Sequence, residues 1–331
     1  MLIIVIIVVI IALGFDFLNG MNDAGNSIAT IVATKVLPPN VAVIWAAFFN
    51  FIAFLIFGVH VATTIGKGIV DTNAIKGDPY FILSALIGAI VWVFICQRKG
   101  IPNSVSHALI GGLIGPALVK VGTTAVLISG VLKIVLFIVL APIFGLIIGY
   151  FFMIITLLIW GKQPPMKIDK YFRFFQLASS AAFSLGHGGN DAQKTMGIIA
   201  VLLYSTGYLG ATFYVPLWVV LSAHACIALG TLTGAWKVIK TLGTKLTHLK
   251  PIGGFCAETA GALTLFGVTL AGIPVSTTHT ITGSIIGVGV TRRFTAVRWG
   301  VASHIVVAWV LTIPASIIIS MFAYYLITLF V

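Results

Sequence analysis

Four of the seven acidic residues stand where acids are costly: Asp16, Asp23, Asp191 and Glu258 lie within long apolar segments, whereas Asp71, Asp78 and Asp169 lie in polar connections. A carboxylate at membrane depth costs several kcal/mol and marks a functional site by default, preferably beside a cavity. Asp23 and Asp191 share a context. Each follows an asparagine, Asn22 or Asn190, among small residues, in G-M-N-D-A-G-N-S and G-H-G-G-N-D-A-Q-K-T. Glycine at this density unwinds helices or allows close backbone approach. Freed carbonyls could then join the oxygens of Asp23, Asn26 and Asp191 around a hard cation, for which sodium fits. The other reading of these pairs is that Asn and Asp cap two helix starts.

A second pair of motifs supplies the complementary chemistry. Pro102 and Pro274 are followed by hydroxyl-bearing turns, Ser104 and Ser106 in one case and Ser276, Thr277 and Thr278 in the other, and then by apolar stretches. Proline followed by Ser or Thr signals a helix start. Within a membrane such a start offers free N–H groups, a positive dipole end and hydroxyl donors, which is an anion site. Two capped interfacial helices are the plainer alternative. His107 and His279 follow the turns and are assigned to holding the tips, in preference to proton transfer. Glu258 aligns with Leu86 in the repeat described below, an asymmetry that suits an extra ion or proton site or a hydrogen-bonded structural acid. Lys194, three residues after Asp191, shares its helical face and neutralises it.

The elements that must hold these residues are membrane helices. The chain of 331 residues is 60 % hydrophobic and 8 % charged, against about 25 % charged in soluble domains. Stretches without Asp, Glu, Lys or Arg run over 36–66, 134–161, 195–236, 259–291 and 299–331, each long enough for about 30 Å of hydrocarbon. A water-soluble fold is excluded. The apolar start has neither a basic region nor a cleavage site and reads as a retained membrane segment. Three cysteines in apolar stretches give no disulfide framework or zinc motif. The net charge of +12 gathers in short loops, where it reports orientation and no nucleic-acid partner. By the positive-inside rule, residues 161–173 and the loops holding Lys237, Lys240, Lys245 and Lys250, and Arg292, Arg293 and Arg298, are cytoplasmic.

An internal duplication orders the whole. F-D-F-L-N-G-M-N-D-A at 15–24 aligns with F-S-L-G-H-G-G-N-D-A at 183–192, offset by 168, and I-P-N-S-V-S-H at 101–107 aligns with I-P-V-S-T-T-H at 273–279, offset by 172. Residues 1–160 form one repeat, 161–173 a cytoplasmic linker and 174–331 the second repeat. With 80–119 and 255–290 as re-entrant hairpins, each half crosses three times, so the second half is inverted and both termini lie outside. The alternative makes 80–97 a full crossing that ends at Gln97, Arg98 and Lys99. The long first and fifth segments should tilt, break or bend, at Gly14, Gly20 and Pro142. The expected fold is an all-α polytopic membrane protein of two inverted-topology repeats, with broken helices and re-entrant hairpins.

Charge balance links the motifs. A dianion entering against an inside-negative potential costs about 4.6 kcal/mol per 100 mV, which two monovalent cations cancel and a third overcomes. The paired aspartates are therefore expected to bind cations, and the paired hydroxyl turns the anion.

G-M-N-D-A-G-N-S, H-G-G-N-D-A-Q-K-T-M-G and I-P-V-S-T-T-H resemble the repeated signatures of the PiT family of inorganic phosphate transporters, in the family's order and over nearly the whole chain. The resemblance implies a symporter of the cell membrane, likewise with both termini outside, taking up phosphate with sodium, or with protons or as a metal-phosphate complex in many bacterial members. It also implies a homodimer and no cofactor beyond the coupling ion. Carried over, it places Asn22, Asn190, Ser104, Ser106, Ser276, Thr277 and Thr278 around phosphate, and Asp23 and Asp191 around the coupling ion. The chain departs from the family pattern at Met21, at Gly25 and Ser27, and at Val105, where a hydroxyl is usual. Intact Asn-Asp pairs favour phosphate over the sulfate carried by relatives. A passive anion channel would need no cation, and an intramembrane enzyme finds no H-E-x-x-H or comparable metal pair.

Overall fold

The computed structural model describes residues 1–330, apart from the side chain of Ala74, and no β-strand occurs among them. Helix α1 (Leu2–Ala33) leads to α2 (Pro39–Ile52), α3 (His60–Gly68) and the short α4 (Thr72–Ile75). Helices α5 (Pro79–Lys99) and α6 (Val105–Lys120) form a hairpin, and α7 (Ile128–Trp160) closes the first half. The order then recurs: α8 (Pro165–Ser205), α9 (Leu217–Thr233) with α10 (Trp236–Lys240), the hairpin α11 (Pro251–Leu270) and α12 (Thr277–Val290), and α13 (Trp299–Thr328). Among the described residues α1, α5, α7, α11 and α13 are each long and apolar enough to span a membrane. The protein is an all-α multi-pass membrane protein.

The breaks are not where glycine and proline content places them. Helices α1 and α7 run unbroken through Gly14, Gly20 and Pro142. The sharp bends fall between Pro39–Leu55 and His60–Gly68, at 81°, and between Leu217–Thr233 and Trp236–Lys245, at 68°. The motif glycines serve approach between helices. A Cβ on Gly20 would stand 2.0 Å from the Ile227 carbonyl oxygen, and one on Gly188 2.5 Å from that of Asn50. The motifs are therefore neither unwound nor at helix starts, and both the freed-carbonyl and the capping expectations for the Asn-Asp pairs fail.

Two apolar clusters divide the interior. The first takes Val5 to Leu18 of α1 and Ala192 to Leu203 of α8; the second takes Ile28 to Ile31 of α1 and Phe172 and Phe183 of α8. The polar runs of both helices cross the seam between the clusters. Their register is antiparallel: Asp16 faces Thr195, Ser27 approaches His187, and Thr34 donates to Gln176. The hairpins interlock across the halves, α6 packing on α13 and α12 on α7. Much of the outer surface of α7, including Leu132, Leu136, Val139, Ile147 and Ile155, is exposed and apolar, as a lipid-facing helix requires.

Candidate functional site

At the seam, α1 presents Asp16, Asn19, Asp23, Asn26 and Thr30 at helical spacing, and α8 presents Gln176, Ser179, His187, Asp191 and Lys194; all are buried. Positions three and four apart share a face, so each helix turns one polar stripe to the other.

The hydroxyl turns arrive as the sequence indicates. Ser104 and Ser276 are N-caps of α6 and α12, accepting from the backbone N–H of His107 at 3.2 Å and of His279 at 3.3 Å. Their own O–H groups remain free to donate. The two tips meet, since Ser106 donates to the Val275 carbonyl at 3.0 Å.

Thr277 joins the tip to both carboxylates, its hydroxyl lying 3.3 Å from Asp23 Oδ2 and 3.3 Å from Asp191 Oδ2. Thr278 approaches Asp23 Oδ1 at 3.4 Å, and Asn22 donates to the same oxygen at 2.6 Å. Asn26 Nδ2 donates to Thr278 at 2.9 Å and to Thr277 at 3.2 Å. The side-chain amide oxygens of Asn22 and Asn26 are buried without a hydrogen-bond partner. Acceptors in this condition fit a cation.

His187 completes the centre. Its Nδ1 lies 3.0 Å from Asn50 Oδ1, whose amide nitrogen already donates to Thr231. Nδ1 therefore carries a proton and donates to Asn50, which leaves Nε2 as the ring atom turned to the carboxylates. That Nε2 faces Asp191 Oδ2 at 3.5 Å and Asp23 Oδ2 at 3.9 Å, with no hydrogen-bond partner. The three groups offer ligand atoms within 4.8 Å of one another. Two carboxylate oxygens and an imidazole nitrogen turned on one point need a shared proton or a cation between them.

A profile of the phosphate transporter family matches residues 19–320. The chain belongs to that family. It is 57 % identical to a probable low-affinity inorganic phosphate transporter of Rhizobium meliloti, over 95 % of this chain and 94 % of that one. A protein of the same description in Bacillus subtilis is 40 % identical over 99 % and 98 %. A solved structure titled the sodium-dependent phosphate transporter superposes with a TM-score of 0.88 at 29 % identity, covering 99 % of this chain and 100 % of that one. Like its relatives, this phosphate transporter family member is a transporter and not an enzyme.

Other expected site residues lie elsewhere. Asn190 donates to the Thr269 hydroxyl at 2.9 Å and the Ile273 carbonyl at 3.3 Å, and accepts from Val275 N–H at 3.4 Å. Its amide is spent on holding the second tip. Glu258 belongs to a separate cluster, where Thr30 donates to Oε1 at 2.5 Å, Gln176 to Oε1 at 3.0 Å and Ser179 to Oε2 at 2.6 Å. Thr30 is seven residues from Asp23, about 10 Å along the helix. His107 and His279 pack edge to face at 4.5 Å, and His279 stacks on Trp309 at 3.5 Å. Neither ring is bonded to the carboxylates.

Sequence reasoning passed over His187, Thr30, Gln176, Ser179 and Asn103. The signal for His187 was its i, i+4 spacing to Asp191, masked because its repeat partner is Asn19. Asn103, buried in the first tip with both amide atoms unpaired, was hidden opposite Val275.

Proposed function

We propose that this chain is a secondary active symporter that takes up inorganic phosphate with cations, by alternating access around a site between two inverted halves. The observation that carries this reading is the Thr277 hydroxyl, which links an anion-binding helix start to both members of a buried carboxylate pair. The antiparallel register of the two motif helices supports the inversion, with 1–160 and 174–331 as the halves and 161–173 as a cytoplasmic linker. On this reading both termini face outward from the cell membrane, and the apolar outer faces meet lipid and a second copy in a homodimer.

Asp23, Asn26 and Asp191 hold the coupling cation, joined by Asn22 through its side-chain amide oxygen. Ser104, Ser106, Ser276, Thr277 and Thr278 donate to phosphate from the two tips, with Asn103 as a further donor. Asn190, His107 and His279 position those tips. Glu258 holds a separate cation on the linker side of the seam. Sodium is favoured by the oxygen donors and by the sodium-dependent structural relative. Proton coupling, or uptake of a metal-phosphate complex, is the second reading, favoured by the nitrogen that His187 turns into the centre.

Radiolabelled phosphate uptake into proteoliposomes, with sodium and proton gradients imposed separately and divalent metal added or chelated, tests the proposal. Uptake driven by one gradient sustains symport and names the ion. Equal uptake with both gradients collapsed makes the protein a passive pathway.

Two variants probe the hydroxyl turn and Glu258. Thr277→Val with Thr278→Val removes two hydroxyls, each worth about 1 kcal/mol, and should raise half-saturating phosphate about tenfold or more. An unchanged value removes them from the site. Glu258→Gln should raise the half-saturating cation concentration several-fold while leaving half-saturating phosphate unchanged at saturating cation. A shift in phosphate alone would detach Glu258 from ion binding.

A further inference from the structure

Lys194 is the one lysine or arginine among the described residues that is buried, at 1 % exposure. Its Nζ donates to Asp191 Oδ1 at 2.5 Å and to the Val275 carbonyl at 2.8 Å. The same carbonyl accepts from Ser106, so the ammonium sits where α8 and both tips converge. Its repeat partner is Asn26, at the 168-residue offset of the first motif. Asn26 donates to the Thr277 and Thr278 hydroxyls, which approach Asp23.

Two carboxylates related by the duplication are therefore held differently. Asp23 Oδ1 is met by the neutral groups of Asn22 and Thr278, whereas Asp191 Oδ1 is met by a full positive charge. Both Oδ2 atoms turn to Thr277 and His187. The centre thus joins two carboxylates to one tethered ammonium, and the Asp23 carboxylate has no lysine or arginine partner among the described residues. Buried charge left uncompensated is not tolerated, so one monovalent cation balances it. Without Lys194 two would be required.

We propose that the Lys194 ammonium is a tethered cation occupying the position at Asp191 that an exchangeable ion would otherwise fill, so that the carboxylate centre exchanges one cation per cycle in place of two. This rests on the symport reading above and sets its stoichiometry.

The test compares the cation-to-phosphate coupling ratio of the parent and of Lys194→Asn, which copies the residue at the equivalent position of the first half. Each is measured from the membrane potential at which net flux into proteoliposomes reverses. The ratio should rise by one in the variant, with a steeper cation dependence; an active variant with the parent's ratio overturns the proposal. Should Lys194→Asn be inactive, the charge-neutral pair Asp191→Asn with Lys194→Asn decides. It should recover uptake at least tenfold over Asp191→Asn alone, and uptake no higher than that of Asp191→Asn refutes a tethered cation. Parent uptake indifferent to every imposed gradient would instead sink the symport reading, which separates the two failures.

Discussion

On the symport reading, Asp23→Asn should cut cation-driven phosphate uptake about 100-fold and leave the protein folded. The substitution keeps the volume and one oxygen but deletes the charge that would balance the coupling cation. A contact between a charged group and its partner is worth up to about 3 kcal/mol, which is about two decades in affinity. The new amide would also aim a donor toward the point where Asp191 Oδ2 and His187 Nε2 already converge, in place of an ion. Folding should survive because Asp23 has only neutral hydrogen-bond donors, Asn22, Thr277 and Thr278, none of which is left as a stranded charge. Uptake assays beside a thermal melt in detergent check both halves of the expectation. Parent-like coupled uptake would remove Asp23 from the ion site.

Asp191→Asn has the same effect on coupled uptake and, unlike Asp23→Asn, a large effect on stability. It leaves the ammonium of Lys194, bonded at 2.5 Å to the lost charge, buried with only neutral acceptors, the new amide oxygen and the Val275 carbonyl. Breaking a buried pair by removing one partner costs about 3–5 kcal/mol, a large fraction of the 5–15 kcal/mol that holds an ordinary domain. The melting temperature of Asp191→Asn should fall well below that of Asp23→Asn, and adding Lys194→Asn should restore most of the loss. Equal melting temperatures for the two single variants would show that the ion pair contributes nothing to the fold. Two residues that occupy equivalent places in the repeat are thus expected to differ, and Lys194 is the reason.

The sequence by itself determined a good deal. An acid in a membrane segment is expensive to desolvate, so Asp16, Asp23, Asp191 and Glu258 stood out as site candidates from hydropathy alone, and the structure buries all four. Helix starts at Ser104 and Ser276 were legible because capping is local chemistry, settled within three residues. Two motifs recurring in order pointed to an all-α fold with paired hairpins, and the helix order of the first part of the chain recurs in the second.

What only the tertiary structure decided depends on contacts between residues far apart in the chain. Glycine's lack of a side chain permits either an unwound turn or a close approach, and the choice at Gly20 and Gly188 was made by Ile227 and Asn50 on neighbouring helices. His187 reads as an ordinary helical histidine until Asn50 takes its Nδ1 proton in a hydrogen bond and leaves Nε2 facing two carboxylates. Glu258 joins Thr30, Gln176 and Ser179 and not Asp23 because the antiparallel register of α1 and α8 brings those residues together about two turns from Asp23 and three to four turns from Asp191. Residue types and spacing specify which atoms are available for binding; the helix crossing specifies which of them meet.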